Sequence, residues 1–380
     1  MEKKVLFTAS TYSHIKNFHL PYLCEFHNAG WAVHVACGSA PGAIYYTAQV
    51  FSLPFEKKMT SPSNFRATRL LRRKMEQEKY DLIITHTSLA AFFTRLAASG
   101  LKKRPRVINM SHGYLFDDAT GFLKRQILLN AERMTARSTD LLLTMNQYDY
   151  RTAVKHRLGK QVVNVPGVGV DFERMRKPGR VEIHALRQAL QLKAGDFVLI
   201  YAAEFSSRKS QSVLIRAMTL LPKSVILLLP GKGVLLEECK KLAEKLGVAE
   251  RIHFPGHVDD MSVWYAVSDA AVTSSRSEGL PFNVMESMYL GLPVVASAVK
   301  GHEDLIVDGE TGFLYPYGNH AACADRILRL YESPVLCEVM ARAARTAVEP
   351  YDLKNVLPLV MELYGVPVVE EEDESELSVF

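Results

Sequence analysis

The chain reads as an α/β protein made of two doubly wound domains, each a parallel sheet flanked by helices. Three observations predict this. Short apolar runs alternate with longer stretches of helical pattern through the first half, the signature of βαβ units and a parallel sheet. The alternation is interrupted at residues 163–171, where Pro166, Gly167 and Gly169 punctuate the chain, and then restarts. A length of 380 residues suits two domains rather than one. The expected boundaries are 1–168 for the first domain and 169–350 for the second.

In order, residues 5–9 form a first strand, 10–17 a polar loop and 18–28 a helix ending near Gly30. Strand 31–36 follows, then a basic helix over 64–79, strand 81–85, helix 89–99 and strand 106–110, which runs into Ser111-His112-Gly113. Helix 121–137, strand 140–145 and helix 147–157 complete the first set. Beyond the boundary, strands are expected at 197–202, 224–229, 251–254, 270–273 and 293–296, most of them followed by a helix. Residues 319–348 read as two helices and 352–364 as a terminal one. The tail 368–380 contains Glu370-Glu371-Glu372-Asp373-Glu374 and reads as disordered.

Composition narrows the class. Hydrophobic content of 48% and charged content of 23% are ordinary for a globular enzyme. Because no 18-residue apolar run exists, no spanning helix is expected. The N-terminus enters a strand directly and lacks the apolar core of an export signal, so a cytoplasmic location is expected. Cys24, Cys37, Cys239, Cys323 and Cys337 are odd in number, scattered and without a C-x2-C pair, which suggests free thiols in a reducing compartment.

Charge is uneven. Residues 1–175 hold 25 Lys and Arg against 13 Asp and Glu, a net of +12, whereas residues 176–380 hold 21 against 28, a net of −7. Arg66, Arg69, Arg72, Arg73 and Lys74 share the basic helix, and Lys102, Lys103, Arg104 and Arg106 share a loop. Such clusters suit peripheral contact with an anionic membrane. A nucleic-acid partner is not expected, since no binding motif or interleaved aromatics accompany them.

The most informative stretch is Ser274-Ser275-Arg276-Ser277-Glu278-Gly279-Leu280-Pro281-Phe282-Asn283-Val284-Met285-Glu286. It follows a buried strand pattern and opens a helix, with Pro281 suited to the first turn. A helix start presents outward N–H groups that favour an anion. Glu278 and Glu286 flank that start. A carboxylate repels phosphate but accepts hydrogen bonds from hydroxyls. The segment thus suggests a pocket for a phosphate and polyols together, as in a nucleotide sugar.

This stretch, with Gly291-Leu292-Pro293-Val294-Val295-Ala296 after it, resembles the E-x7-E signature of the retaining glycosyltransferases of family 4. The resemblance implies the GT-B fold, two Rossmann-like domains facing across a cleft, with the terminal helix returning to the first. It implies that Glu286 holds ribose hydroxyls, while Glu278 and the backbone of Gly279, Leu280, Pro281 and Phe282 hold the donor sugar and phosphates. Arg208 and Lys209, in a strand-to-helix loop, match the basic pair that stabilises the leaving diphosphate; preorganised cations stabilise charge that develops there. With that pair present and no D-x-D motif, no metal and no cofactor is expected. His112, at a strand's carboxyl end where open α/β sheets place ligands, matches a family histidine near the reacting carbon. The resemblance implies that it orients the sugar and that the incoming hydroxyl gives its proton to the departing phosphate. Gly256 and Val258 match the loop beside the nucleobase. The segment Asp308-Gly309-Glu310-Thr311-Gly312 matches a family turn and reads as structural.

The first strand-to-helix loop departs from the commoner Gly-rich family pattern. Its His14…Phe18-His19-Leu20-Pro21 form resembles the branch that builds bacterial capsule and exopolysaccharide. There His14 and Lys16 are candidates for the acceptor diphosphate or the donor. The expected function is transfer of a hexose from a nucleotide sugar, UDP-linked by preference, to a polyprenyl-diphosphate-linked saccharide at the inner face of the cell membrane. The alternatives are a GT-B phosphorylase or epimerase, or an inactive partner subunit. A Rossmann dehydrogenase is disfavoured because the first strand opens into Ser10-Thr11-Tyr12-Ser13-His14 rather than G-x-G-x-x-G.

Overall fold

The computed structural model describes residues 2–39, 42–366 and 368. The acidic tail expected over 368–380 lies outside the described residues apart from Val368. Among the described residues the chain divides into two compact units: one runs to Gly169 and takes in residues 354–366, the other spans Val170–Leu353.

The first unit holds strands Lys4–Ala9 (β1), Ala32–Cys37 (β2), Gln49–Ser52 (β3), Leu82–His86 (β4), Arg106–Met110 (β5), Leu141–Thr144 (β6) and Gln161–Asn164 (β7). They pair in the order β3-β2-β1-β4-β5-β6-β7, every pair parallel. Its helices are Tyr12–Phe18 (α1), Leu20–Asn28 (α2), Pro62–Glu78 (α3), Ser88–Ser99 (α4), Phe122–Ala136 (α5) and Gln147–His156 (α6). The central strands are buried along their length, as covering by helices on both faces requires.

The second unit holds helix Arg180–Ala189 (α7), strand Phe197–Ile200 (β8), helix Ser212–Ala217 (α8), strand Val225–Leu228 (β9), helix Leu236–Lys245 (α9) and strand Ile252–His253 (β10). Helix Ser262–Ala266 (α10), strand Ala270–Thr273 (β11), helix Phe282–Tyr289 (α11), strands Val294–Ser297 (β12) and Gly312–Tyr315 (β13), and helices His320–Tyr331 (α12) and Pro334–Val348 (α13) follow. The sheet order is β10-β9-β8-β11-β12-β13, again all parallel. Strand order reverses between β1 and β4 in one unit and between β8 and β11 in the other, the switch points where doubly wound sheets bind ligands.

Helix Leu353–Tyr364 (α14) packs with the first unit. Tyr364 is buried against Tyr22 and Phe26. The Arg106 guanidinium donates to the Leu363 and Tyr364 carbonyls at 3.0 Å each. A cation there satisfies terminal carbonyls and complements the helix dipole.

Several local expectations are corrected. Most of the run 10–17, expected as a polar loop, is helix α1. Thr11 caps it by accepting from the His14 N–H at 3.3 Å, and Ile15 is buried as its apolar anchor. The helical path breaks at His19, because Pro21 has no N–H for the Asn17 carbonyl. Pro281 is the N-cap of α11 rather than a residue of its first turn. Strands β3 and β7 were not expected as elements; both are short edge strands with little burial. The Gly312–Tyr315 turn region forms the sheet-edge strand β13.

Candidate functional site

In the first unit, the adjacency of β1, β4 and β5 brings four histidines together. His14 lies on α1 after β1, His19 at the break before α2, His86 ends β4 and His112 follows β5. His86 Nδ1 lies 3.1 Å from His112 Nε2, and His14 Nε2 lies 3.4 Å from that same atom. His19 stacks on His86 with ring centroids 3.7 Å apart, and Phe7 stacks on His86 at 5.9 Å. His19 and His86 are fully buried, while His14 and His112 are half-buried. Burial lowers the pKa of His14 to about 4. Burial and the neighbouring imidazoles hold His19, His86 and His112 well below the ordinary histidine range. All four are therefore neutral near pH 7. Neighbouring backbone is tied down too. Thr87, a β-branched residue at φ 62°, receives a hydrogen bond from the Ser10 N–H at 2.9 Å and shares a 2.6 Å hydroxyl contact with Ser10. Lys16 lies on the exposed face of α1, apart from the cluster.

In the second unit, Arg208 and Lys209 follow β8, and Glu278 follows β11, the neighbouring strand. Arg208 Nη1 donates to Glu278 Oε2 at 2.6 Å, and Lys209 Nζ donates to Glu278 Oε1 at 2.7 Å. Arg208 is half exposed, whereas Lys209 and Glu278 are almost wholly buried. Burial pushes the Glu278 pKa up, but Lys209, Arg208 and His302 outweigh it and hold it at about 2. Burial lowers the Lys209 pKa, with Glu278 opposing.

The loops are fastened around this triad. The Ser274 hydroxyl donates to the carbonyls of Lys209 and Ser210 at 3.0 Å, and the Arg276 N–H donates to the Arg208 carbonyl at 2.7 Å. Gly301, at φ +84°, brings its backbone so close that a Cβ would sit 2.7 Å from the Gly279 carbonyl oxygen and 3.0 Å from Glu278 Cβ. On α11 the Glu286 carboxylate accepts a hydrogen bond from the Tyr265 hydroxyl at 3.0 Å. Burial raises the Glu286 pKa, Tyr265 partly opposing.

The structure thus groups Arg208 and Lys209 with Glu278, and His14 with His112. Gly256 uses its carbonyl to accept from the Gly231 N–H at 2.7 Å, and Val258 is half-buried beyond it. Glu204 is exposed, and its carbonyl accepts from Gln211. Sequence reasoning missed His19, His86, Tyr265, His302 and the Gly231-Lys232-Gly233 loop. That loop's signal was available: Gly-x-Gly directly follows the apolar run of β9, and it closes on Ala203 and Phe205. His86 had none, since it ends an apolar strand run.

Two all-parallel doubly wound units, the second with a cation–carboxylate cluster at its switch point, define the class of the fold as GT-B. Over 96% of its length the chain resembles Anabaena Alr3699/HepE, solved in complex with UDP and glucose; the TM-score is 0.78 at 20% identity, covering all of that chain. Residues 182–347 match the family described as Glycosyl transferases group 1, and residues 23–174 match Glycosyltransferase Family 4. A Bacillus subtilis (strain 168) protein, provisionally named the glycosyltransferase EpsD, is 33% identical over 96% of this chain and 97% of its own. The UDP-Gal:alpha-D-GlcNAc-diphosphoundecaprenol alpha-1,3-galactosyltransferase of Escherichia coli is 23% identical over 77% of each chain. The chain belongs to glycosyltransferase family 4.

Proposed function

We propose that this protein is a retaining hexosyltransferase that takes its sugar from a UDP-sugar and passes it to a polyprenyl-diphosphate-linked saccharide in exopolysaccharide or capsule synthesis. The observation that carries the reading is the Arg208–Lys209–Glu278 triad with Glu286 on the following helix. Arg208 and Lys209 neutralise Glu278. A donor diphosphate recruits Arg208 and Lys209, which then stabilise charge on the leaving group. Glu278 is freed toward donor-sugar hydroxyls, and Glu286 accepts from ribose hydroxyls. His112 orients the sugar. The titles of the relatives support the donor and acceptor classes: one solved relative binds UDP and glucose, and the Escherichia coli relative is named for UDP-Gal and a diphosphoundecaprenol acceptor.

Peripheral membrane contact is part of the proposal, with a revised surface. Arg104 is engaged by Asp140 at 2.6 and 2.7 Å, and Arg106 by α14, so the 102–106 loop offers chiefly Lys102 and Lys103. On α3, Lys74 pairs with Glu78 at 2.9 Å, leaving Arg66, Arg69 and Arg73 exposed. Helix α5 instead combines exposed Phe122, Leu123 and Ile127 with exposed Lys124. An apolar patch beside basic groups is the composition of an interfacial helix. No helix among the described residues is long and apolar enough to cross a membrane.

The test is nucleotide release from UDP-, GDP- and ADP-sugars with bacterial lipid extract as acceptor and Glu286→Ala as control. Release from UDP-sugars alone, lost in the variant, is expected. Release from another nucleotide class, or release unaffected by the variant, would overturn the reading.

A further inference from the structure

The histidine cluster of the first unit poses a hydrogen-bonding problem. His112 Nε2 carries either one lone pair or one proton, yet two other ring nitrogens face it, His86 Nδ1 at 3.1 Å and His14 Nε2 at 3.4 Å. One atom cannot satisfy both. Both nitrogens of His19 and Nε2 of His86 are buried with no hydrogen-bond partner. Buried polar atoms are rarely left so, and each such group calls for an explanation.

One ligating nitrogen from each of the four rings lies within 4.8 Å of all the others. Tetrahedral zinc–imidazole bonds of about 2.0–2.1 Å place ligand nitrogens about 3.3 Å apart. Two of the separations, 3.1 and 3.4 Å, bracket that value. A cation at the centre would take several lone pairs at once, which hydrogen bonds among the rings cannot do.

We propose that His14, His19, His86 and His112 bind one divalent transition-metal ion of the zinc type. The donor set is all imidazole, without carboxylate or thiolate, which suits Zn²⁺, Ni²⁺ or Cu²⁺ and not the oxygen-seeking Mg²⁺ or Ca²⁺. The half-buried His14 and His112 give the ion a way in. The ion ties together helix α1, the end of β4 and the loop that follows β5, and fixes the ring of His112. Its task is positional: the cations proposed for the diphosphate, Arg208 and Lys209, belong to the other unit. The site rests on the geometry of the rings and not on the transferase reading, so it stands or falls separately.

The test uses tag-free, full-length protein stripped with chelator and titrated with Zn²⁺ by calorimetry. One equivalent is expected to bind, and affinity is expected to fall at least tenfold in His86→Gln and in His14→Gln. His14 is half-buried on a surface helix, so its variant keeps the fold. Cobalt provides a readout that needs no variant: bound Co²⁺ in the wild type is expected to show the intense visible bands of four-coordination. Weak, multi-site Zn²⁺ binding, binding unchanged in folded His14→Gln, or only the faint spectrum of hydrated Co²⁺ would overturn the proposal.

Discussion

The two units place chemistry at the same point of the same architecture and solve it with opposite electrostatics. After β1, β4 and β5 the first unit gathers four neutral imidazoles, with ring nitrogens that lack partners. After β8 and β11 the second unit gathers formal charges that answer one another, one carboxylate against an arginine and a lysine. Burial, reinforced by the neighbouring imidazoles, drives the first set toward neutrality. In the second set burial is outweighed by opposite charge, and Glu278 stays ionised. A doubly wound sheet thus fixes where a site forms; the side chains on its loops decide whether that site suits lone-pair acceptors or anions.

The largest effect expected from breaking the charged cluster is on turnover. Replacing Arg208 and Lys209 together with Ala should lower kcat by at least about 10³-fold, since removing a single donor to a developing anion costs about 10²–10³ in such sites. Steady-state kinetics on the folded double variant check this, and an unchanged kcat would remove these residues from the transition state.

Next comes the acid limb of stability. The folded pKa of Glu278 is about 2, below the ordinary glutamate value. Its contribution is therefore complete above the unfolded pKa and is lost as pH falls from roughly 5 toward 2. The loss should be about 3 kcal/mol, read by denaturant unfolding across that range. Glu278→Gln should remove that part of the pH slope; an unchanged slope would mean the triad is not an ion cluster in solution.

These expectations show what was legible in the chain. The alternation of apolar runs gave both sheets, and the loop through Glu278 marked the carboxylate at the centre of the charged cluster. The Arg208–Glu278 pairing was not readable, because 70 residues separate the partners and only the adjacency of β8 and β11 joins them. The histidine tetrad was hidden for the same reason: His14 and His112 stand 98 residues apart, and only the adjacency of β1, β4 and β5 joins them with His86. Helix α1 escaped notice because it is short and buries only Ile15, too little for a helical period to show.

A smaller effect sharpens the role of Glu286. Tyr265→Phe removes the hydroxyl that donates to its carboxylate at 3.0 Å. UDP affinity should fall about fivefold, in line with roughly 1 kcal/mol for one hydrogen bond, with kcat changed less; titration calorimetry distinguishes this from no effect. The smallest concerns α5. Lys124→Ala should weaken sedimentation with anionic vesicles by about 1 kcal/mol and leave binding to neutral vesicles unchanged. Equal losses on both would assign the contact to apolar residues alone.

The central claim is that the charged cluster of the second unit holds a nucleoside diphosphate. Calorimetric binding of UDP and of uridine, each to the wild type and to the Arg208→Ala/Lys209→Ala variant, tests it directly. The account predicts that the wild type binds UDP far more tightly than uridine and that the double variant loses most of that preference. A preference for UDP that survives in the folded variant would contradict it.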